Sequence, residues 1–185
     1  MDRSRWFLLA AVASATLVAG IGFLLGQTRS TFVPPARPPS LEQQGRAVHL
    51  FFVSEGGTLV EEERLIPPRP TAAEEAKEVL TELIRGPRVD HFPTIPKGTN
   101  LLALFIDVEG TAYVDFDLTF QTNHPGGSLG EFLTIYSIVD TLGYNFPEIK
   151  QVQILMEGEE TPTLTGHLDL RRPLKPRVRL QLSVT

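Results

Sequence analysis

Apolar residues recur with two spacings in the second part of the chain, and these spacings predict strands and helices. Residues 47–53 (AVHLFFV) are rich in branched and aromatic side chains, which favour a strand, and residues 58–66 return as a charged strand after a glycine turn. Residues 101–108 and 111–118 predict a second hairpin, and in its second strand the apolar side chains share one face. Residues 149–156 predict a fifth strand.

Two stretches with the spacing of an amphipathic helix separate these strands. The first follows a predicted capping box formed by Thr71 and Glu74, and the second follows one formed by Ser128 and Glu131 and runs to about Gly143. The stripes expected to face the core are Ala76, Val79, Leu80, Leu83 and Ile84 in the first helix, and Leu129, Phe132, Leu133, Tyr136, Val139 and Leu142 in the second. The order of elements predicts a two-layer α+β domain over residues 46–174, in which one mixed β-sheet of about four to six strands packs against two helices.

The N-terminal part of the chain predicts a membrane segment. An uncharged apolar run begins at Trp6 and ends at Leu25, and as a helix it spans about 30 Å, the thickness of the hydrocarbon core. Arg3 and Arg5 favour a cytoplasmic N-terminus. Residues 1–26 are therefore either an uncleaved transmembrane anchor in the cytoplasmic membrane or a cleaved signal segment of a secreted or periplasmic protein. Both interpretations place the domain outside the cytoplasm.

Residues 27–45 are rich in proline and predict a stiff spacer. The paired prolines of the segment PPARPP favour polyproline II and cannot continue a helix or a central strand. The spacer therefore holds the domain away from the bilayer.

Charge is distributed unevenly. The 185-residue chain has 17 basic and 22 acidic side chains, a net charge of −5, which argues against nucleic acid as the main partner. Residues 46–170 contain 8 basic and 20 acidic side chains, a net charge of −12. Residues 171–185 contain five basic side chains and no acid. The chain also has no cysteine, which excludes disulfides, thiolate metal sites, a cysteine nucleophile and a lipid-modified cysteine.

The basic tail, residues 175–185, contains a predicted strand. Apolar residues alternate with polar ones from residue 177 to residue 184. The tail either closes an edge of the domain's own sheet, is simply a solvated end, or is offered to a partner as a strand or basic patch by edge addition. The candidate partner-binding residues of the last interpretation are Arg171, Arg172, Arg177 and Arg179.

Few residues have a spacing that suits catalysis or metal binding. Asp115 and Asp117 share a strand face, where two carboxylates can hold a divalent cation, but a solvent-facing and helix-capping role is favoured. The loop PGGS at residues 125–128 lacks the lysine of a phosphate-binding loop, and Ser128 and Ser137 lack the hydrolase elbow. The histidines, which show no metal-ligand spacing, are His49, His91, His124 and His167. We therefore expect no enzyme activity, no cofactor and no metal site.

Residues 48–174 resemble a GerMN domain, the module named after the spore-germination protein GerM. The matching phrases are VHLFFV with its glycine turn, LIRGP, IPKGTNLLALFIDVEGTAYVDFDLTF, the GGS-initiated helix, VQILMEG and GHLDLRRPL. In this resemblance Gly98 and Gly110 are turn glycines and Asp169 is structural. The family implies a non-enzymatic extracytoplasmic domain, found in sporulation proteins and in envelope lipoproteins associated with two-component signalling.

These observations predict an envelope protein whose domain binds another envelope or membrane protein during assembly or signalling at the cell surface. A second hypothesis is a module that binds cell-wall glycan, with the spacer reaching into peptidoglycan, or another small ligand. A third is a divalent-metal hydrolase that uses Asp115 and Asp117. A role in sporulation does not follow from the resemblance alone.

Overall fold

The computed structural model describes residues 45–178 and places their strands in two separate sheets. One is a two-stranded antiparallel sheet, and the other is a mixed sheet with the order β3-β4-β5-β6, in which β4 and β5 are parallel. The strands are β1 (Arg46–Val53), β2 (Leu59–Ile66), β3 (Leu101–Ile106), β4 (Thr111–Phe116), β5 (Gln151–Met156) and β6 (Glu159–Glu160). The helices are α1 (Ala72–Ile84), the short α2 (Thr119–Thr122) and α3 (Ser128–Asn145).

The mixed α+β class and the order of the main elements are confirmed, but the prediction of a single sheet is wrong. The outer edge of β1 is bonded to α3 instead of to a strand of the larger sheet. The backbone N–H of His49 donates to Oδ1 of Asn145 (2.9 Å), and that of Phe51 donates to Oγ1 of Thr141 (3.1 Å). Because side chains of a helix occupy these backbone groups, β1 and β2 remain a separate pair.

Strand alternation and the α1 stripe place the core as the sequence predicts. Ala112, Val114 and Phe116 of β4 are fully buried, whereas Tyr113 and Asp115 face the opposite side. The four α1 residues that are fully or almost fully buried are Ala76, Val79, Leu80 and Leu83.

The predicted core stripe of α3 is confirmed only in part. Leu129 is 60% exposed, whereas Ile135 and Ile138, which were not part of the stripe, are fully buried with Val139 and Leu142. The helix is apolar around most of its circumference, so its periodicity does not identify the buried face. Tertiary packing against the sheets determines that face.

At one of the two predicted capping boxes, the N-cap residue Thr71 is confirmed. The Glu74 N–H donates to Oγ1 of Thr71 (3.2 Å) at the start of α1. At α3 the N-cap is Gly127, with a φ of 83°, and Ser128 is the first helical residue. The second box is therefore wrong, and Glu131 is free to bind a different segment.

Three predicted segments lie outside the described residues. They are the membrane segment at residues 6–25, the spacer up to residue 44 and the tail strand from residue 179 onward. Between residues 45 and 178, no helix is long enough and apolar enough to cross a membrane.

Candidate functional site

The outer edge of β3 has unpaired backbone groups. β3 is the first strand of its sheet, and the Asp107 N–H donates to the Thr111 carbonyl (3.0 Å) in the turn that follows it. Backbone hydrogen bonds alternate along an antiparallel pair, so the N–H and C=O groups of Leu104 and Ile106 point away from β4. No other residue in the described part of the chain pairs with these groups. An extended segment can therefore add to this edge.

Apolar side chains surround this edge. Leu102 is 52% exposed at a bulge in the β3–β4 register, Phe105 is 50% exposed and Val108 is 97% exposed. The Phe105 ring stacks on Tyr113 with a centroid distance of 4.5 Å and an interplanar angle of 9°. We use "β3 edge" for the outward backbone of β3 together with these three exposed side chains. The sequence of β3, LLALFI, has no charged residue to prevent strand addition.

The turn beside the β3 edge is rigid. Gly110 has a φ of 89°, and a Cβ at this position would lie 2.5 Å from the Glu148 carbonyl oxygen. The Thr111 N–H donates to Oδ1 of Asp107 (2.7 Å), and hydrogen bonds of this kind lower the pKa of Asp107. Burial and the nearby Asp107 carboxylate raise the pKa of Tyr113. The edge is therefore bordered by a fixed negative charge and a neutral phenol.

Buried polar side chains of α3 hold several other segments of the chain. The main example is Glu131, which is fully buried and accepts hydrogen bonds from the N–H groups of Leu164 (2.9 Å), Thr165 (3.1 Å) and His167 (2.8 Å). The Thr165 hydroxyl (2.9 Å) and Nδ1 of His167 (3.0 Å) also contact this carboxylate. Burial raises the pKa of Glu131, but the hydrogen bonds outweigh it and lower the pKa to about 2. Glu131 therefore anchors a loop as a permanent carboxylate.

Asp140 of α3 anchors the C-terminal segment in the same way. The Arg177 N–H donates to Oδ1 of Asp140 (2.7 Å), and its guanidinium Nη2 donates to Oδ2 (2.9 Å). The guanidinium carbon also lies 4.7 Å and 4.4 Å from the ring centroids of Phe132 and Tyr136. Asp140 is fully buried, so this pair fixes the start of the tail on the helix.

A cleft of about 320 Å³ lies beside the start of α3. Nδ1 of His124 accepts from the Gly126 N–H (2.9 Å), and Nε2 contacts Oγ1 of Thr134 (3.0 Å). Since the Thr134 hydroxyl donates to the Thr94 carbonyl (2.7 Å), Nε2 must carry the imidazole proton. Burial lowers the pKa of His124, which agrees with a neutral ring. The Thr94 hydroxyl is buried and has no hydrogen-bond partner among the described residues, and Lys97 also lines the cleft.

Comparison with known proteins identifies the family. A family model described as Germane, sporulation and spore germination, matches residues 49–162, which is more than half of the chain. The chain belongs to the Germane family. A search of curated proteins finds no match.

Solved structures share the fold of this Germane domain. A candidate lipoprotein from Clostridium perfringens is 21% identical with a TM-score of 0.52, and the match covers 71% of this chain and 88% of that one. The first GerMN domain of the sporulation protein GerM from Bacillus subtilis is 20% identical with a TM-score of 0.56, over 71% of this chain and 98% of that one. The tandem GerMN domains of GerM give the same identity and TM-score, and this chain covers 46% of their length. At these identities the similarity shows the fold alone.

The four arginines predicted to bind a partner have different surroundings in the Germane chain. Arg177 is bound to its own helix, and Arg171 pairs with Asp169 at 2.9 Å on the surface. Hydrogen bonds from Arg171 lower the pKa of Asp169 to about 2. Arg172 is exposed, and Arg179 lies outside the described residues.

The two candidate catalytic carboxylates bind separate loops. Asp117 accepts from the Asn100 N–H (3.1 Å), from its amide Nδ2 (2.7 Å) and from the Thr119 hydroxyl (3.1 Å). Asp115 accepts from the Gly158 N–H (2.8 Å). Each carboxylate therefore has a local structural role.

The four histidines do not come together. His49 packs edge-on against Tyr144, His167 contacts Glu131 and His124 lines the cleft. Between residues 45 and 178, no group of three or more histidine or acidic side chains is arranged to hold a metal ion.

A buried ion-pair cluster between β2 and α1 is not predicted from the sequence. Arg64, which is 4% exposed, contacts Glu62 (2.7 Å) and Glu82 (3.0 Å), and its Nη2 donates to the Gly86 carbonyl (2.6 Å). Burial raises the pKa of both carboxyls, but the contacts with Arg64 contribute to a net lowering. Each of these residues is typical of an exposed surface, so only their positions in space reveal the cluster.

Proposed function

We propose that this Germane protein is a non-enzymatic, extracytoplasmic interaction module that binds another envelope or membrane protein during assembly or signalling at the cell surface. The β3 edge carries the proposal, because it combines unpaired backbone groups at Leu104 and Ile106 with the exposed side chains of Leu102 and Phe105. An edge of this kind is normally paired, covered or charged in a stable monomer.

The backbone and side chains of the β3 edge favour a partner segment of a particular conformation and composition. Backbone pairing requires an extended chain, and the exposed leucine and phenylalanine favour apolar side chains at alternate positions of that chain. Residues 46–170 have a net charge of −12, so basic residues in the partner segment accelerate association.

The location outside the cytoplasm is part of the proposal. It is supported by the apolar run at residues 6–25 and the proline-rich spacer that follows it. In this arrangement the domain lies at the outer side of the cytoplasmic membrane.

The test is chemical crosslinking in intact cells followed by recovery of the tagged full-length protein. The variant Phe105→Lys places a charge on the β3 edge, and Leu65→Lys is a matched control on β2, where Leu65 is 68% exposed. We expect the wild type and Leu65→Lys to recover the same envelope protein and Phe105→Lys to lose it. Equal recovery with all three proteins contradicts the proposal.

The cleft favours small-ligand or glycan binding as a second candidate function. Its volume of about 320 Å³ is at the lower end of ligand sites. The exposed cation of Lys97 is available to a polar ligand, and the buried hydroxyl of Thr94, which has no hydrogen-bond partner among the described residues, lies in the wall of the cleft. Binding of soluble peptidoglycan fragments to the wild type, with loss in Lys97→Met, supports this function, and no binding to the wild type removes it.

A further inference from the structure

We propose that the cleft beside α3 binds the carboxylate end of a short peptide, as found in the peptide part of peptidoglycan. This inference rests on the second candidate function, since it uses the same cleft, and it names the chemical group that is recognised. It does not depend on the β3 edge. The lining of the cleft carries the proposal, because it combines a cation, unpaired helix N–H groups and apolar walls.

The charge of the cleft is opposite to the net charge of the domain. Residues 46–170 contain 20 acidic side chains, but none of the described residues that line the cleft is acidic. Lys97 is exposed there. The other ionisable side chain of the lining is His124, whose ring is neutral because Nδ1 accepts a hydrogen bond from the Gly126 N–H. The lining therefore has a net positive charge, which favours an anionic ligand.

The start of α3 supplies hydrogen-bond donors to the same cleft. The N–H groups of Ser128, Leu129 and Gly130 precede the first bond of the helix, which Glu131 donates to the Gly127 carbonyl (2.9 Å). These three N–H groups have no hydrogen-bond partner within residues 45–178, and Gly130 lines the cleft. Unpaired N–H groups at the N-terminus of a helix bind anions such as carboxylates.

The wall of the cleft also contains a polar group without a partner. Thr94 is 6% exposed, and its hydroxyl has no hydrogen-bond partner in the described part of the chain. An unpaired hydroxyl is unfavourable in a buried position. The Thr134 hydroxyl donates to the Thr94 carbonyl (2.7 Å), which holds this wall against α3. A ligand oxygen that packs against the wall can accept a hydrogen bond from the Thr94 hydroxyl.

The backbone position of Lys97 is fixed before a ligand binds. The Thr99 N–H (3.3 Å) and hydroxyl (2.8 Å) both donate to the Pro96 carbonyl, and Nδ2 of Asn123 donates to the Lys97 carbonyl (2.9 Å). Only the side chain of Lys97 has to become ordered when it contacts an anion, so the entropic cost of binding is small.

The remaining walls favour a small peptide over a sugar. Sugars stack on aromatic side chains, and no phenylalanine, tyrosine or tryptophan is found among the described residues that line the cleft. The volume of about 320 Å³ equals that of about ten water molecules, which suits the last two residues of a peptide. The apolar side chains of the lining include those of Pro93, Ile95, Pro96, Pro125 and Leu133.

The experiment is an NMR titration of the full-length protein in detergent with N-acetyl-D-alanyl-D-alanine, a peptide probe that ends in a carboxylate. Its C-terminal amide is the matched probe without the charge, and di-N-acetylchitobiose is a sugar probe without a peptide. Lys97→Met removes the cation and Lys97→Arg keeps it. Lys77→Met is the control at an exposed lysine of α1 that does not line the cleft.

We expect the wild type to bind the acid about tenfold more tightly than the amide, because the amide lacks a charged acceptor. Lys97→Met should weaken binding of the acid about fivefold and leave binding of the amide unchanged. Lys97→Arg and Lys77→Met should bind both probes as the wild type does. The amide signals of Ser128 and Gly130 should shift with the acid, and unchanged signals elsewhere confirm that each variant is folded.

Three results overturn the inference: equal affinity of the wild type for acid and amide, an unchanged preference for the acid in Lys97→Met, or binding of the acid without a shift at Gly130. The candidate function of the cleft is judged separately. If soluble peptidoglycan fragments or the sugar probe bind to the wild type and the peptide acid does not, the inference fails and small-ligand binding stands. If none of these probes binds, both fail. The cellular crosslinks of Phe105→Lys test the β3 edge alone.

Discussion

The outer edges of β1 and β3 belong to the same domain and have opposite surroundings. On β1, the N–H groups of His49, Phe51 and Val53 bond to an asparagine, a threonine and a backbone carbonyl of other segments. On β3, the outward groups of Leu104 and Ile106 have no such partner within residues 45–178. Polar side chains of α3 therefore cover the β1 edge. The β3 edge has no such cover among the described residues.

The largest effect is expected from Glu131→Ala, which removes the anchor of the loop at residues 164–167. Five donors lose their acceptor in a buried site, and we expect a loss of about 3–5 kcal/mol in the free energy of unfolding. Urea denaturation measures this loss. A loss below about 1 kcal/mol would show that the contact of Glu131 with residues 164–167 contributes little to the stability of the domain.

Acidification weakens the same anchor. The pKa of Glu131 is lowered from 4.5 to about 2, so its stabilisation is fully present above the unfolded pKa and is lost as the pH falls through the folded one. The expected loss is about 3 kcal/mol between pH 5 and pH 2. Unfolding free energies measured across this range should fall less steeply in Glu131→Gln than in the wild type. If the unfolding free energies of Glu131→Gln and the wild type fall equally with pH, Glu131 is not the cause of the acid-induced loss.

The next largest loss of stability is expected when the side chain of Asn145, which covers the β1 edge, is removed. Asn145→Ala removes the acceptor of the His49 N–H and two donor bonds to the carbonyls of His49 (2.6 Å) and Thr141 (2.8 Å). We expect a loss of about 2 kcal/mol and faster amide exchange at His49. The control Asn123→Ala removes an exposed amide whose Nδ2 donates to the Lys97 carbonyl (2.9 Å), so we expect a loss below about 1 kcal/mol and unchanged exchange at His49. Unchanged exchange at His49 in Asn145→Ala contradicts the account.

Releasing the tail from α3 has a smaller effect. Gly143→Ala places a Cβ 2.0 Å from Cγ of Pro176, so residues 176–178 must move. We expect a net loss of about 1 kcal/mol and faster cleavage by trypsin after Arg177. Gly130→Ala is the matched control on the same helix, because its Cβ meets only an ordinary contact of 3.6 Å with Cε1 of His124. Equal trypsin sensitivity of the two variants would contradict the close packing of Pro176.

The smallest effect on stability is expected from Phe105→Lys at the bare edge. Phe105 is 50% exposed and its ring stacks on Tyr113, so we expect Phe105→Lys to lower the free energy of unfolding, measured by thermal unfolding, by no more than about 1 kcal/mol, although partner binding is lost. A destabilisation above about 2 kcal/mol would show that the edge has a structural role.

The sequence predicts the elements of this fold better than their arrangement. The turn at Gly110 and the cap at Thr71 depend on a few neighbouring residues, so the local pattern identifies them. The buried face of α3 and the anchoring of Arg177 by Asp140 depend on residues far apart in the chain. Periodicity carries no information about such contacts, and the separation of β1 and β2 from the larger sheet was missed for the same reason.

The most direct test of the two edges is residue-resolved amide hydrogen exchange of the full-length protein at concentrations where it is monomeric. The account predicts slow exchange at His49, Phe51 and Val53 and fast exchange at Leu104 and Ile106, with protection appearing at the last two when the partner segment binds. Equal protection of the β1 and β3 edges in the monomer would contradict the claim that the β3 edge is open and the β1 edge is covered.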